Sequence, residues 1–265
     1  MDLNLDGKRA IVTGGSKGIG YAIARALANE GVHVVIAART AEQLESAAEA
    51  LSRETGRRVL AIPTDTGDDD RVRTLVERTV TELGGIDILV NSAATPWSPG
   101  ASTDLAGTDD ETVHREFDIK VLGYLRTARA VAPHLTRQGW GRIINISGLG
   151  ARRANSIPQT IRNIGVSALT KNLADELGPS GVNVTVVHPG LTRTERLTAR
   201  LTSEAEQSGR SIADHESDLA HNTLRRVIDA SEVADVVTFL ASPRSVAITG
   251  DAIAAGGGVP GPVYY

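Results

Sequence analysis

The chain has 265 residues, a net charge of −4 and no cysteine. It is long enough to bury a core as one large α/β domain, while disulfides, thiolate catalysis and cysteine-metal sites are excluded. Acids and bases are mixed along the sequence with no basic face for nucleic acid, no apolar run approaches the ~20 residues that span a bilayer, and the N-terminus lacks a basic–apolar secretory pattern. The expectation is a cytoplasmic protein that takes a small molecule, with no nucleic-acid or membrane partner and no metal. Two Phe, two Trp and four Tyr leave the core to Ala, Val, Ile and Leu.

Short β-branched runs alternate with long amphipathic segments, the pattern of a parallel sheet covered by helices. A first strand at 10–13 runs into a glycine-rich turn, Gly14-Gly15-Ser16-Lys17-Gly18-Ile19-Gly20, that opens a helix. A second strand at 32–37 precedes a helix with Thr40 as N-cap, Gln43 completing a capping box, and Gly56 as its stop. A strand at 58–62, a helix near 68–83 and a strand at 86–90 follow. The stretch 95–109 breaks this rhythm before a long helix near 110–135. Then come a strand at 142–146, a helix near 158–178, a strand at 182–188 and a last strand at 251–255. The strands' apolar runs are nearly continuous, as expected when both faces are buried. Residues 190–226 are long, polar and charged, and follow a strand's carboxyl end, where such insertions are commonly binding loops or lids. The pattern predicts a Rossmann-type doubly wound parallel sheet, a single α/β domain over 1–265 with a lid-like insertion at about 190–226.

Gly14, Gly18 and Gly20 allow positive φ and close backbone approach, so the helix-opening N–H groups can face a pyrophosphate. Their position after the first strand of a repeated β-α-β series makes a dinucleotide cradle the reading of this turn. Thr13-Gly14-x-x-x-Gly18-x-Gly20, Asn91-Ser92-Ala93-Ala94 after the fourth strand, Pro189-Gly190-x-x-x-Thr194, and Asp65 after the third strand occur together. With these motifs in this order the chain resembles the short-chain dehydrogenase/reductase family over nearly its whole length. The resemblance implies a cofactor site of Gly14, Ser16, Lys17, Gly18, Ile19, Gly20, Arg39, Asp65, Thr66, Asn91, Ala93, Pro189, Gly190, Thr192 and Thr194. Asp65 would meet the adenine, and the Pro189–Thr194 motif the nicotinamide carboxamide. An NAD-selective site places Asp or Glu at the end of the second strand for the ribose 2′-OH. Here Ala38 and Arg39 stand there, with Lys17 in the glycine loop. Two charge-assisted bonds of ~1.5–3 kcal/mol each would favour a 2′-phosphate by roughly tenfold to over a hundredfold. NADP(H) is the expected cofactor.

The catalytic half departs from the family. There, a serine orients the carbonyl, a tyrosine supplies the proton, a lysine four residues on lowers the tyrosine's pKa, and an asparagine on the preceding long helix completes a water relay. The segment Gly165-x-x-x-Leu169-Thr170-Lys171-x-Leu173-Ala174 sets the alignment. It puts Gln159 at the tyrosine and Asn163 at the lysine, so the first has no titratable proton and the second no charge. Ile144-Asn145-Ile146-Ser147-Gly148 places Gly148 where the reactive serine is usual, with Ser147 one residue earlier. Lys120, in Phe117-Asp118-Ile119-Lys120, stands at the asparagine position, so Asn and Lys are exchanged between two positions that approach each other in the family's fold. Lys120 is expected to bring its charge into the same cavity from the opposite helix. Ser147, Lys120, Gln159, Asn163 and Tyr124, one turn beyond Lys120, are the catalytic candidates. His188, which titrates near neutrality, and the C-terminal Tyr264 and Tyr265 are further ones. Arg152, Arg153 and Arg162 are candidates for an anionic substrate.

The family resemblance implies an NADP(H)-dependent oxidoreductase with a non-standard proton donor, reducing a carbonyl or a conjugated C=C. The alternatives are an NADP(H)-binding sensor or partner protein without turnover, and a non-redox lyase or isomerase on the same fold. The resemblance also implies a homotetramer, or at least a homodimer, through helices near 110–135 and 158–178.

Overall fold

Residues rich in Val, Ile and Ala form seven strands whose side chains alternate between two helical layers. The structure, a computed structural model, describes residues 1–95, 105–154 and 156–261. The sheet holds β1 (Arg9–Thr13), β2 (His33–Ala38), β3 (Val59–Pro63), β4 (Ile88–Asn91), β5 (Gly141–Ile146), β6 (Val182–Pro189) and the last strand β9 (Ala252–Ala255). Its order is β3-β2-β1-β4-β5-β6-β9, and every pairing is parallel. On one face Val12, Ile36, Val90 and Ile144 pack with α1 (Gly18–Asn29), α2 (Ala41–Thr55) and α9 (Ala230–Ala241). On the other, Ile11, Val35, Leu89 and Ile143 pack with α3 (Asp69–Leu83), α5 (Gly123–Gln138) and α6 (Ile157–Leu177). Each Val, Leu or Ile buried this way is worth roughly 1.5–3 kcal/mol, and these two layers are what make the sheet doubly wound.

Chain order reverses between β1 and β4, so the loops after them diverge and leave a crevice at the strands' carboxyl ends. The expected strands are present with ends shifted by one or two residues. The expected helix at 110–135 is divided into α4 (Asp110–Phe117), a π turn over Asp118–Leu122, and α5. The extra residue of such a turn re-aims the side chains it carries, and Lys120 and Val121 are the two it buries. Gly56 stops α2 in the left-handed conformation, as read from the sequence. The capping box at Thr40 does not form, because Thr40 makes no side-chain cap bond. Capping by side chain is instead seen at Asp68, which accepts from the N–H groups of Asp70 and Arg71 to start α3.

The stretch read as a lid is mostly helical. It contains β7 (Thr192–Arg193), α7 (Glu195–Ser208) and α8 (Ile212–Leu219), and β7 pairs with β8 (Ile228–Asp229). Arg193 ties these pieces together by pairing with Glu216 on α8 and, at 2.8 Å, with Asp229. Among the described residues no helix is long and apolar enough to cross a membrane.

Candidate functional site

The glycine turn is packed too closely for side chains. A Cβ on Gly14, whose φ is +68°, would lie 2.9 Å from the Ala93 nitrogen and the Ser92 carbonyl, and one on Gly20 would lie 2.3 Å from the Gly14 oxygen. These contacts hold β1's turn against the loop after β4, at the start of α1. Thr13 fixes the same junction, its Oγ1 accepting from the N–H groups of Ser92 at 3.1 Å and Ala93 at 3.2 Å. This donor-rich helix start suits a pyrophosphate, since unpaired N–H groups and the helix dipole both favour an anion there. Lys17 and Arg39 are exposed at the edge of this crevice. Asp65 accepts from the Gly67 N–H at 2.9 Å, and the neighbouring Thr66 is buried. Thr192 is bonded to the Gly190 carbonyl at 3.0 Å, and Thr194 caps α7 by accepting from the Leu197 N–H.

One residue of this half escaped sequence reasoning. Glu195, in the first turn of α7, accepts from the Gly18 N–H at 3.0 Å, so a carboxylate sits at the anion-favouring end of α1. The only sequence signal is an acid next to Thr194. Nothing local in the sequence says which helix end it will meet.

At the carboxyl end of β5 the second cluster assembles around Lys120. Its side chain is buried, and Nζ donates to the Ser147 carbonyl at 2.9 Å and to Asn163 Oδ1 at 3.1 Å. The two exchanged positions are therefore in direct contact. Among the described residues no carboxylate touches the ammonium, and burial pushes it down to about 7. Ser147 Oγ donates to the Asn163 carbonyl at 3.1 Å, so its proton is directed at backbone. A Cβ on Gly148 would lie 3.2 Å from Asn163 Nδ2, tighter than ordinary contact. Gly148 thus leaves room for the amide that Lys120 holds.

Tyr124 lies beneath this cluster, 1% exposed, with its hydroxyl donating to the Ile146 carbonyl at 2.9 Å. Burial raises its pKa further above the ordinary tyrosine value, so it keeps its proton. Gln159 is half-buried in the first turn of α6. His188 is 1% exposed at the end of β6. Its Nε2 is 3.5 Å from Ser167 Oγ, and its Nδ1 has no partner among the described residues. Burial, then the charges of Arg152 and Lys120, lower it to about 4, so it is neutral at pH 7 rather than titrating there. Tyr264 and Tyr265 lie outside the described residues.

Of the three arginines expected to face an anion, Arg162 is committed elsewhere. It pairs with Glu116 of α4, both side chains being largely buried, because a buried guanidinium needs a carboxylate to offset its lost hydration. Arg152 donates to the Ala252 carbonyl at 2.8 Å. Arg153 is exposed. A polar ladder that the sequence reading did not single out joins the layers beneath the site. Thr127 Oγ1 donates to Asn91 Oδ1 at 2.7 Å, Asn91 Nδ2 to Asn145 Oδ1 at 3.0 Å, and Asn145 Nδ2 to Thr170 Oγ1 at 3.0 Å. Its signal was Asn145 among the isoleucines of β5, since a buried amide must find partners.

Comparison with known proteins extends this geometry. Residues 14–260 match the family model described as enoyl-(acyl carrier protein) reductase. The chain is 34% identical over 261 residues to the short-chain reductase protein NovJ of Streptomyces niveus, covering 95% of this chain and 93% of that one. It is 35% identical over 252 residues to the peroxisomal 2,4-dienoyl-CoA reductase of Danio rerio, covering 94% and 80%. Among solved structures, L-sorbose reductase of Gluconobacter frateurii, complexed with NADPH and L-sorbose, superposes with a TM-score of 0.92 at 29% identity, covering 99% of this chain and all of that one. With its cradle, its seven-stranded parallel sheet and these relatives, the chain belongs to the short-chain dehydrogenase/reductase family.

Proposed function

We propose that this chain is an NADP(H)-dependent reductase whose proton-bearing group is Lys120, working on a carbonyl or a conjugated C=C. The observation that carries the reading is Lys120 Nζ, buried and bonded to the Ser147 carbonyl and to Asn163 Oδ1. A general acid works best when its pKa lies near the working pH, and burial brings Lys120 to about 7. Lys120 thus supplies the exchangeable proton and positive charge that Gln159 and Asn163 cannot. Asn163 orients the ammonium. Ser147 aligns a substrate oxygen only after its hydroxyl turns from the Asn163 carbonyl. Tyr124 packs and holds the end of β5. NADPH, when bound, supplies the hydride. Gly14, Ser16, Gly18, Ile19 and Gly20 would hold its pyrophosphate, Lys17 and Arg39 its 2′-phosphate, Asp65 and Thr66 its adenine side, and Asn91, Ala93, Pro189, Gly190, Thr192 and Thr194 its nicotinamide side. Among the described residues neither Lys17 nor Arg39 has a hydrogen-bond or ion-pair partner, which leaves both free for a phosphate. The NADPH in the L-sorbose reductase complex supports the cofactor, and the dienoyl-CoA and enoyl reductase relatives support a conjugated C=C.

Helices α5 and α6 form the expected self-association face of this reading. On α6, Ile157, Ile161 and Ile164 are 36%, 45% and 50% exposed, and their spacing puts them on one side of the helix.

The test is titration of the full chain with NADPH and NADH by calorimetry, followed by NADPH oxidation with conjugated enones. The reading expects NADPH to bind at least tenfold tighter and Arg39→Asp to remove that preference. Failure of both cofactors to bind overturns it. Tight NADPH binding without oxidation of any enone or ketone favours a sensor or partner protein instead.

A further inference from the structure

A cleft opens beyond the carboxyl ends of β5 and β6, starting two residues past Ser147 and one past Pro189. Leu149, Leu191 and Leu219 give it apolar walls, and Arg153 and Arg226 are its arginines. No aspartate or glutamate lines it among the described residues. Arg226 is neutralised by Glu232, with Nη1 2.8 Å from that carboxylate. Arg153 has no ion-pair or hydrogen-bond partner among the described residues and stands exposed at the mouth. The surroundings add further positive charge. Arg152 lies next along the chain, and Lys120 lies deeper, bonded to neutral acceptors. An exposed guanidinium over an apolar cleft is half of a charge-assisted, bidentate contact whose natural complement is an oxyanion. Pockets of this kind bind by apolar contact and take their orientation from the few polar groups present.

We propose that the cleft receives an organic anion with an apolar body, its carboxylate held by Arg153 and its chain lying along Leu149, Leu191 and Leu219. This deepens the reductase reading and rests on it only in placing the reacting end of the ligand towards Lys120. The anion is a property of this chain's own lining, since the apolar walls by themselves would accept neutral and charged chains of the same length alike.

The test uses trans-2-octenoate and trans-2-octenamide, which share a chain and a conjugated double bond and differ in bearing an anionic carboxylate or a neutral amide. Calorimetric titration of the full chain, with and without saturating NADP+, is expected to show octenoate binding at least fivefold tighter than octenamide. Arg153→Gln should remove that difference and leave octenamide affinity unchanged, while Arg153→Lys should retain part of it. Equal affinity for acid and amide, preference for the amide, binding of neither, or an Arg153→Gln variant that keeps the preference would each overturn the proposal. The same titrations report NADP+ binding separately. NADP+ binding without octenoate preference removes the anion and leaves the cofactor reading intact, whereas octenoate preference without NADP+ binding does the reverse.

Discussion

Replacing Lys120 by Met tests whether this buried side chain is poised near neutrality. The side chain of Met is similar in length and carries no charge, so the variant removes the titration while largely keeping the volume. Lys120 is 4% exposed, its polar contacts are the Ser147 carbonyl and Asn163 Oδ1, and burial alone pushes it down to about 7. In the unfolded chain it returns to about 10.4. The folded pKa of this base is depressed, so between those values the unfolded state binds more protons and stability rises with pH. The penalty is fully present below pH 7 and is lost as pH climbs towards the unfolded value. Integrating that linkage from pH 7 to pH 9 gives a gain of about 2 kcal/mol for the wild type. The Met variant leaves two acceptors without their donor, a cost of roughly 1–3 kcal/mol for each group stranded in the interior. That cost is the same at every pH. Urea denaturation of both proteins from pH 7 to 9 should therefore show the wild type gaining about 2 kcal/mol relative to Lys120→Met. Other titrating groups are common to both chains, and His188, which the Lys120 charge helps to lower, is already neutral in the folded protein across this range. Parallel profiles, within about 0.5 kcal/mol, would mean that Lys120 is an ordinary ammonium in the folded protein, and the proton-donor role would fall with it.

Glu195→Gln should tighten NADPH binding by roughly two- to fivefold, because a carboxylate at a helix N-terminus is worth about 0.3–1 kcal/mol and the pyrophosphate must displace it. Calorimetry measures this directly, and unchanged or weaker binding would show that the bond to Gly18 does not compete with the cofactor. Ile161→Glu, on the exposed face of α6, should convert the assembly to monomer in sedimentation velocity. A wild-type chain that already sediments as a monomer would refute that interface.

The architecture was legible because it follows from local chemistry repeated along the chain. Apolar β-branched runs such as 182–188 and helical segments such as 68–83 can hide their surfaces only in a doubly wound sheet, and the Gly14–Gly20 turn after the first strand fixes where the crevice opens. The exchange of Lys120 and Asn163 was also legible, as two residue types standing in each other's places. The resemblance also implied that the two positions approach each other, whereas the hydrogen bond between their side chains depends on a π turn at Asp118–Leu122 that no residue preference announces and on α6 lying beside α4. The capping box at Thr40 failed for a related reason: the motif fits a box, but the side-chain bond that would make one is not formed.

What the sequence determined, then, is the sheet, the cradle and the residues missing from the usual catalytic set. Each is written in periodicity or in a short motif, and so depends on interactions between near neighbours. The tertiary structure alone decided which charges are spent and which are free. Arg162 is consumed by Glu116, Gly18 meets Glu195 from 177 residues away, and Lys120 is buried without gaining a carboxylate among the described residues. Charge balance at a site is set by what long-range packing brings within a few ångströms, and the field of a buried ion falls off too steeply and depends too much on burial to be read from sequence order.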